Sequence, residues 1–192
     1  MPLPSGQRCG LCLKHPPPLD LCLSATAYDW PWSGLVGRFK FQNQPGWCGP
    51  LATLMRSSEG VEDTLDAADL VLPIPLSRER LAQRGYNQSW LLAQRLCSHK
   101  AQAQWLLKTR DTPSQRTLPR HERLANLEGA FALDPWQAPA VRGQRVVLVD
   151  DVMTSGASLH SAARLLREAG ASHIAAVVLA RTETAVEVDD RP

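Results

Sequence analysis

Asp150 and Asp151 follow a β-branched apolar run, Val146-Val-Leu-Val149, and precede the turn Thr154-Ser-Gly-Ala-Ser158. Adjacent carboxylates can accept hydrogen bonds from a vicinal diol. The turn offers the hydroxyls of Thr154, Ser155 and Ser158, and Gly156 lets an oxyanion approach the backbone closely. Phosphate and diol together describe a ribose 5-phosphate. An acid pair that only caps a helix is the plainer alternative.

The flanking elements must place that turn. The apolar run reads as a strand over Arg145–Asp150, buried on both faces of a parallel sheet. Leu159, Ala162, Ala163, Leu166 and Ala169 share one side of a helix over Ser158–Ala169, which Gly170 stops. The turn then lies at a helix start, where unpaired N–H groups and the macrodipole attract phosphate.

Upstream, Ala68–Ile74 reads as the first central strand, ending at Pro75. A loop over Pro75–Gln88 follows, carrying Arg78, Arg80 and Arg84 and then Gly85, and leads into a helix over Ser89–Cys97. Ala103–Lys108 is read as a second strand, Ala130–Leu133 as a short strand and Ile174–Ala180 as the last. Thr109–Asn126 is longer than an ordinary connector of ~4–6 residues. Two amphipathic stretches, Trp32–Phe41 and Trp47–Met55, predict a helical pair covering one side of the sheet. Within the first, Arg38–Asn43 is read as packed helix with solvated charges, and ligand contact is the alternative. Strands alternating with helices predict a doubly wound, mainly parallel α/β sheet. Its ligands bind at the carboxyl ends of the strands.

The chain has 192 residues, 44% of them hydrophobic, enough for one α/β domain with a small appendage. The division expected is an N-terminal segment over 1–25 and the main domain over 26–192. Net charge is +2, which argues against a uniformly basic nucleic-acid binder, but the charges are uneven. From Arg78 to Arg123 ten Lys or Arg face three acids, and eight of the ten are Arg, whose planar fork matches phosphate oxygens. No apolar run reaches the ~18–20 residues of a membrane span, and no signal peptide is read, so a cytoplasmic location is expected.

Cys9-Gly-Leu-Cys12 forms one zinc-type knuckle, whereas a closed structural site needs four ligands. Cys22, Cys48 or His15 would have to complete it. Unliganded thiols are expected, with zinc on Cys9 and Cys12 as the alternative.

Pro73-Ile-Pro75 with Arg84-Gly-Tyr-Asn-Gln88, then Arg110 with Gln115, Arg120-His-Glu-Arg123 with Asn126, Gly129-Ala-Phe131 and the 146–158 segment occur in this order. The series resembles the ComF family of competence-related, phosphoribosyltransferase-like proteins, within the type I phosphoribosyltransferases that bind 5-phosphoribosyl-1-pyrophosphate (PRPP). The resemblance spans roughly residues 26 to 181.

It implies that Asp150 and Asp151 hold the ribose diol and that Thr154, Ser155, Gly156, Ala157 and Ser158 hold the 5′-phosphate. The Pro75–Arg84 loop would take the pyrophosphate, with Mg²⁺ bridging pyrophosphate and ribose oxygens. Arg78, Arg84, Asn87 and Gln88 are the leaving-group candidates. Loop pinning and helix capping is the plainer role for Arg84, Asn87 and Gln88. Arg84 and Arg123 are the candidate catalytic cations, with Thr109–Asn126 as the candidate closing loop. Thr154 stands where purine-salvage members often carry an aspartate that takes a proton from the base, which disfavours purine salvage. Family members also usually open with a four-cysteine zinc module, of which only Cys9 and Cys12 are present.

The function implied is phosphoribosyl transfer to an unidentified acceptor. The competing expectation is a non-catalytic PRPP or nucleotide module that binds single-stranded DNA in uptake, with Tyr86, Trp90 and Trp105 as possible stacking groups.

Overall fold

A computed structural model of the chain describes residues 16–109 and 130–182. Four parallel strands form the central sheet, in the order β1 (Leu21–Ala27), β6 (His173–Arg181), β5 (Arg145–Met153) and β2 (Leu70–Pro73). One face is covered by α1 (Trp32–Phe41), α2 (Cys48–Arg56), α3 (Val61–Asp66) and α5 (Gln88–Cys97), and the other by α6 (Ala157–Glu168). The short helix α4 (Arg78–Arg84) stands at the carboxyl edge between β2 and α5.

Burial follows the period of two expected of strands. Val146 and Leu148 of β5 face α6, while Val147 and Val149 face α1, α2 and α5. β5 and β6 are central strands and almost entirely buried, which is why both read as unbroken apolar runs. In α6 the expected stripe of Leu159, Ala162, Ala163 and Leu166 is buried on the sheet, and Gly170 at φ 91° ends the helix.

The parallel α/β architecture, the α1 bounds and the last strand agree with the sequence reading. Several elements differ. β5 continues through both aspartates to Met153, because Asp150 and Val152 still pair with Val178 and Ala180 of β6. The Pro75–Gln88 loop contains α4, begun by Ser77, whose side chain accepts from the Arg80 amide, and ended by Gly85 at φ 77°. The second strand is shorter than Ala103–Lys108 and lies outside the main sheet. It is β3 (Leu106–Lys108), which pairs antiparallel with β4 (Phe131–Leu133) in a separate two-stranded sheet. β1 and α3 have no counterpart in the sequence reading, and the boundary placed between residues 25 and 26 falls inside β1.

β1 is fastened at its start by Asp20. Its Oδ2 accepts from the Ile174 amide at 2.7 Å and from Arg167 Nη2 at 2.6 Å, with His173 Nδ1 at 3.6 Å. Partial burial opposes ionisation of Asp20, but the Ile174 amide and Arg167 outweigh it and hold the carboxyl below its ordinary value. A depressed carboxyl contributes stability above its unfolded pKa, and that contribution is lost as pH falls through the folded one. Asp20→Ala is therefore expected to lower the melting temperature at pH 7 by a few degrees, about 1 kcal/mol for the lost hydrogen bonds. The difference should shrink below about pH 4, the ordinary carboxylate range. Thermal melts at both pH values check it, and an equal deficit at pH 3 and pH 7 contradicts the linkage.

Candidate functional site

The carboxyl ends of β5 and β2 bring α1, α4, α5 and the start of α6 to one edge. The turn after β5 is built as the composition suggested. Gly156 has φ 77°, and a Cβ there would lie 2.6 Å from Met153 Cε and 3.0 Å from His160 Nε2, so only glycine fits undisturbed. Ser155 is buried, and its Oγ accepts the Ala157 amide at 3.4 Å. The hydroxyls of Thr154 and Ser158 have no partner among the described residues, and no described residue accepts from the amides of Gly156, Ser158 and Leu159. Asp150, Met153 and residues 154–159 line a small polar cavity of about 30 Å³. A single water needs ~10–15 Å³, so the depression has room for a compact anionic group.

Asp150 and Asp151 take different partners. Asp150 Oδ1 accepts from Ser89 Oγ and from the Asp151 amide, both at 2.9 Å. Asp151 is 6% exposed and its Oδ1 lies 2.8 Å from Lys40 Nζ of α1. Burial, and then the charge of Asp151, push the Asp150 carboxyl up to about 7, against the opposing pull of Lys40 and of the Ser89 hydroxyl.

Arg84, at the end of α4, donates through Nη1 to Gln88 Oε1 at 3.0 Å and lies 5.1 Å above the centre of the exposed Phe41 ring. Burial lowers its pKa, while the charges of Asp151 and Asp150 act the other way. Gln88 is fully buried, and its Nε2 has no partner among the described residues. Asn87 caps α5, its Oδ1 accepting from the Ser89 and Trp90 amides and its Nδ2 donating to Ile74 O at 3.1 Å. Tyr86 donates its hydroxyl to the Phe39 carbonyl and packs against the Phe39 ring.

The structure thus gathers Asp150, Asp151, Thr154, Ser155, Gly156, Ala157, Ser158, Arg84 and Gln88 at one edge. Asn87 uses both ends of its amide on the protein, the pinning and capping role. Arg78 is exposed at the far end of α4 with no contact to the acid pair. Arg123, the other arginines of 110–123, Cys9 and Cys12 lie outside the described residues. Trp105 is half-buried against the cluster that includes α6, and Tyr86 and Trp90 are half-buried on the face covered by α1, α2 and α5. Two partners of the acid pair are absent from the sequence reading. Ser89 reads only as a helix start, and Lys40 only as part of Arg38–Asn43, where ligand contact is the alternative to solvated charge, because both contacts are made across the fold.

A parallel sheet with a diol-sized acid pair and an amide-lined turn at its carboxyl edge is the frame of a phosphoribosyltransferase-like protein. Residues 108–192 match the family model described as "Phosphoribosyl transferase domain". Over 189 residues, covering 92% of this chain and 79% of the relative, the sequence is 36% identical to "Competence protein F" of Haemophilus influenzae. It is 34% identical to "DNA utilization protein YhgH" of Escherichia coli K12 over 185 residues, 91% of this chain and 78% of that protein. It is also 35% identical to "Competence protein ComFC" of Bacillus subtilis over 114 residues, 59% of this chain and 45% of that one. The chain belongs to the ComF family of phosphoribosyltransferase-like competence proteins. Among the described residues no helix is long and apolar enough to cross a membrane.

Proposed function

We propose that the carboxyl edge binds PRPP, or a related phosphoribosyl ligand, together with Mg²⁺, and transfers the phosphoribosyl group to an acceptor with release of pyrophosphate. The observation that carries this reading is the pairing of two adjacent carboxylates with a turn in which the Thr154 and Ser158 hydroxyls and the Gly156, Ser158 and Leu159 amides have no partner among the described residues. Thr154, Ser158 and the amides at the start of α6 take the 5′-phosphate. Asp150 and Asp151 accept from the two ribose hydroxyls.

As the bond from C1 to the pyrophosphate oxygen breaks, the leaving group keeps the electron pair and C1 bonds to the acceptor. Positive charge builds on the sugar and negative charge on the pyrophosphate, so fixed cations beside the leaving group favour the transition state. Arg84 is the first cation proposed, a role supported by its being held by Gln88 and Phe41 within the field of both acids. Arg123 is the second cation proposed. Mg²⁺ suits oxygen donors and keeps several waters, so it would be held chiefly by pyrophosphate and ribose oxygens and would neutralise the leaving group.

Titration calorimetry of the parent chain with PRPP and Mg²⁺ is expected to give saturable heat, and a panel of bases is expected to reveal pyrophosphate release with one class of acceptor. Absence of heat removes the reading. Heat without release on any acceptor leaves a binding module. A second reading, single-stranded DNA binding in uptake, draws on the names of the relatives and the arginine-rich middle. It expects affinity that falls with added salt.

A further inference from the structure

Lys40 sits one residue before the end of α1 and reaches back to the sheet, where its Nζ meets Asp151 Oδ1 with both side chains largely buried. Lysine and aspartate are rarely sequestered this far unless each serves the other. Asp150 shows a matching arrangement, since its Oδ1 is occupied by the Ser89 hydroxyl from α5 and by the Asp151 amide. One oxygen of each acid is therefore committed inside the protein. The other oxygen of each has no donor among the described residues. Neither is sealed in, because the buried side-chain polar atom without a partner there is Gln88 Nε2. Arg84 lies within the field of both acids from α4, but Lys40 is the cation in contact.

We propose that Lys40 is a positioning residue for the acid pair. It fixes one oxygen of Asp151 from the α1 side, as Ser89 fixes one oxygen of Asp150 from the α5 side, so that the two remaining oxygens face a cis-diol together. The inference rests on reading this edge as a ribose phosphate site and deepens it. The ligand class it selects is the intact ribo sugar, since a 2-deoxy sugar fills only one of two aligned acceptors and leaves the other desolvated without a partner.

The test uses the full chain, without metal, and three probes: ribose 5-phosphate, 2-deoxyribose 5-phosphate and inorganic phosphate. The parent is expected to prefer the ribo over the deoxy sugar by about tenfold or more, the scale of one hydrogen bond to a charged group. In Lys40→Met that preference should collapse to within about threefold, whereas affinity for inorganic phosphate stays level because Lys40 does not touch the turn. Level phosphate affinity shows that the fold survives. Lys40→Arg keeps the charge at a different reach and should show an intermediate preference, and it serves alone if Lys40→Met does not fold. A preference equal to the parent's in either variant overturns the proposal. A parent chain that binds phosphate but shows no ribo preference sinks the ribose reading itself, a result distinguishable from failure of the Lys40 role alone.

Discussion

Asp150→Asn is expected to make the ligand-free protein more stable at pH 8 while removing most of its affinity for a ribose phosphate. The Asp150 carboxyl is pushed up to about 7 by burial and by Asp151. A carboxyl with a raised folded pKa favours the native state fully below its unfolded pKa and loses that contribution as pH rises through the folded one. The window runs from about pH 4, the ordinary carboxylate value, to about 7. At pH 8 the native state carries the whole penalty. A shift of that size corresponds to at most about 4 kcal/mol. The side chain keeps part of its hydration, so about 1–2 kcal/mol is the expected gain, or roughly 3–6 °C in melting temperature. Asn keeps a carbonyl oxygen for the Ser89 hydroxyl and the Asp151 amide, so nothing buried is orphaned by the change. At pH 4 the two proteins should melt together. The sugar hydroxyl loses a charged acceptor worth about 1.5–3 kcal/mol, a tenfold to hundredfold loss of affinity. Melting curves at both pH values with calorimetry at pH 8 check both halves. A variant less stable than the parent at pH 8 would show that the strain assigned to Asp150 is absent.

Gly156→Ala should do the opposite, lowering stability and phosphate affinity together. A residue with a Cβ costs roughly 1–2 kcal/mol in the left-handed region, and the ends of the Met153 and His160 side chains must shift as well, so about 2–3 kcal/mol is expected. That corresponds to roughly 5–12 °C in melting temperature. Gly143 supplies the control. It shares the φ of 77°, but an added Cβ meets nothing within 4 Å, so Gly143→Ala isolates the backbone part. Equal losses at the two positions would mean that the turn has room the geometry denies it.

What could be read from the chain in advance was whatever depends on a local pattern. The run into Asp150 is short, β-branched and bounded by a turn, as a buried strand is, and the stripe of α6 and the bounds of α1 carry the helical period. β1 escaped because Leu-Cys-Leu-Ser-Ala-Thr-Ala mixes small and polar residues, and it is a strand by virtue of pairing with β6. α4 buries no residue and has no apolar stripe to reveal it. Its signal lay in punctuation, with Ser77 before it and Gly85 after it. β3 was recognisable as extended chain, but a strand of three residues does not announce which sheet it will join. The acid pair itself was plain, whereas its supports were not. Ser89 is 61 residues from Asp150, and nothing in the spacing of Lys40 marks it as the partner of Asp151.

The place of β6 in the sheet has a consequence for biosynthesis. Among the described strands, the one that emerges last lies between β1, the first to emerge, and β5. Chains are made at ~5–20 residues per second, so the earliest strand waits roughly 8–30 s for the neighbour it must pair with. Until then the ladder groups of β1 and of the β6-facing edge of β5 stay open to other chains. A messenger broken before codon 173 would yield a product with its centre missing, and such fragments should be insoluble or quickly degraded.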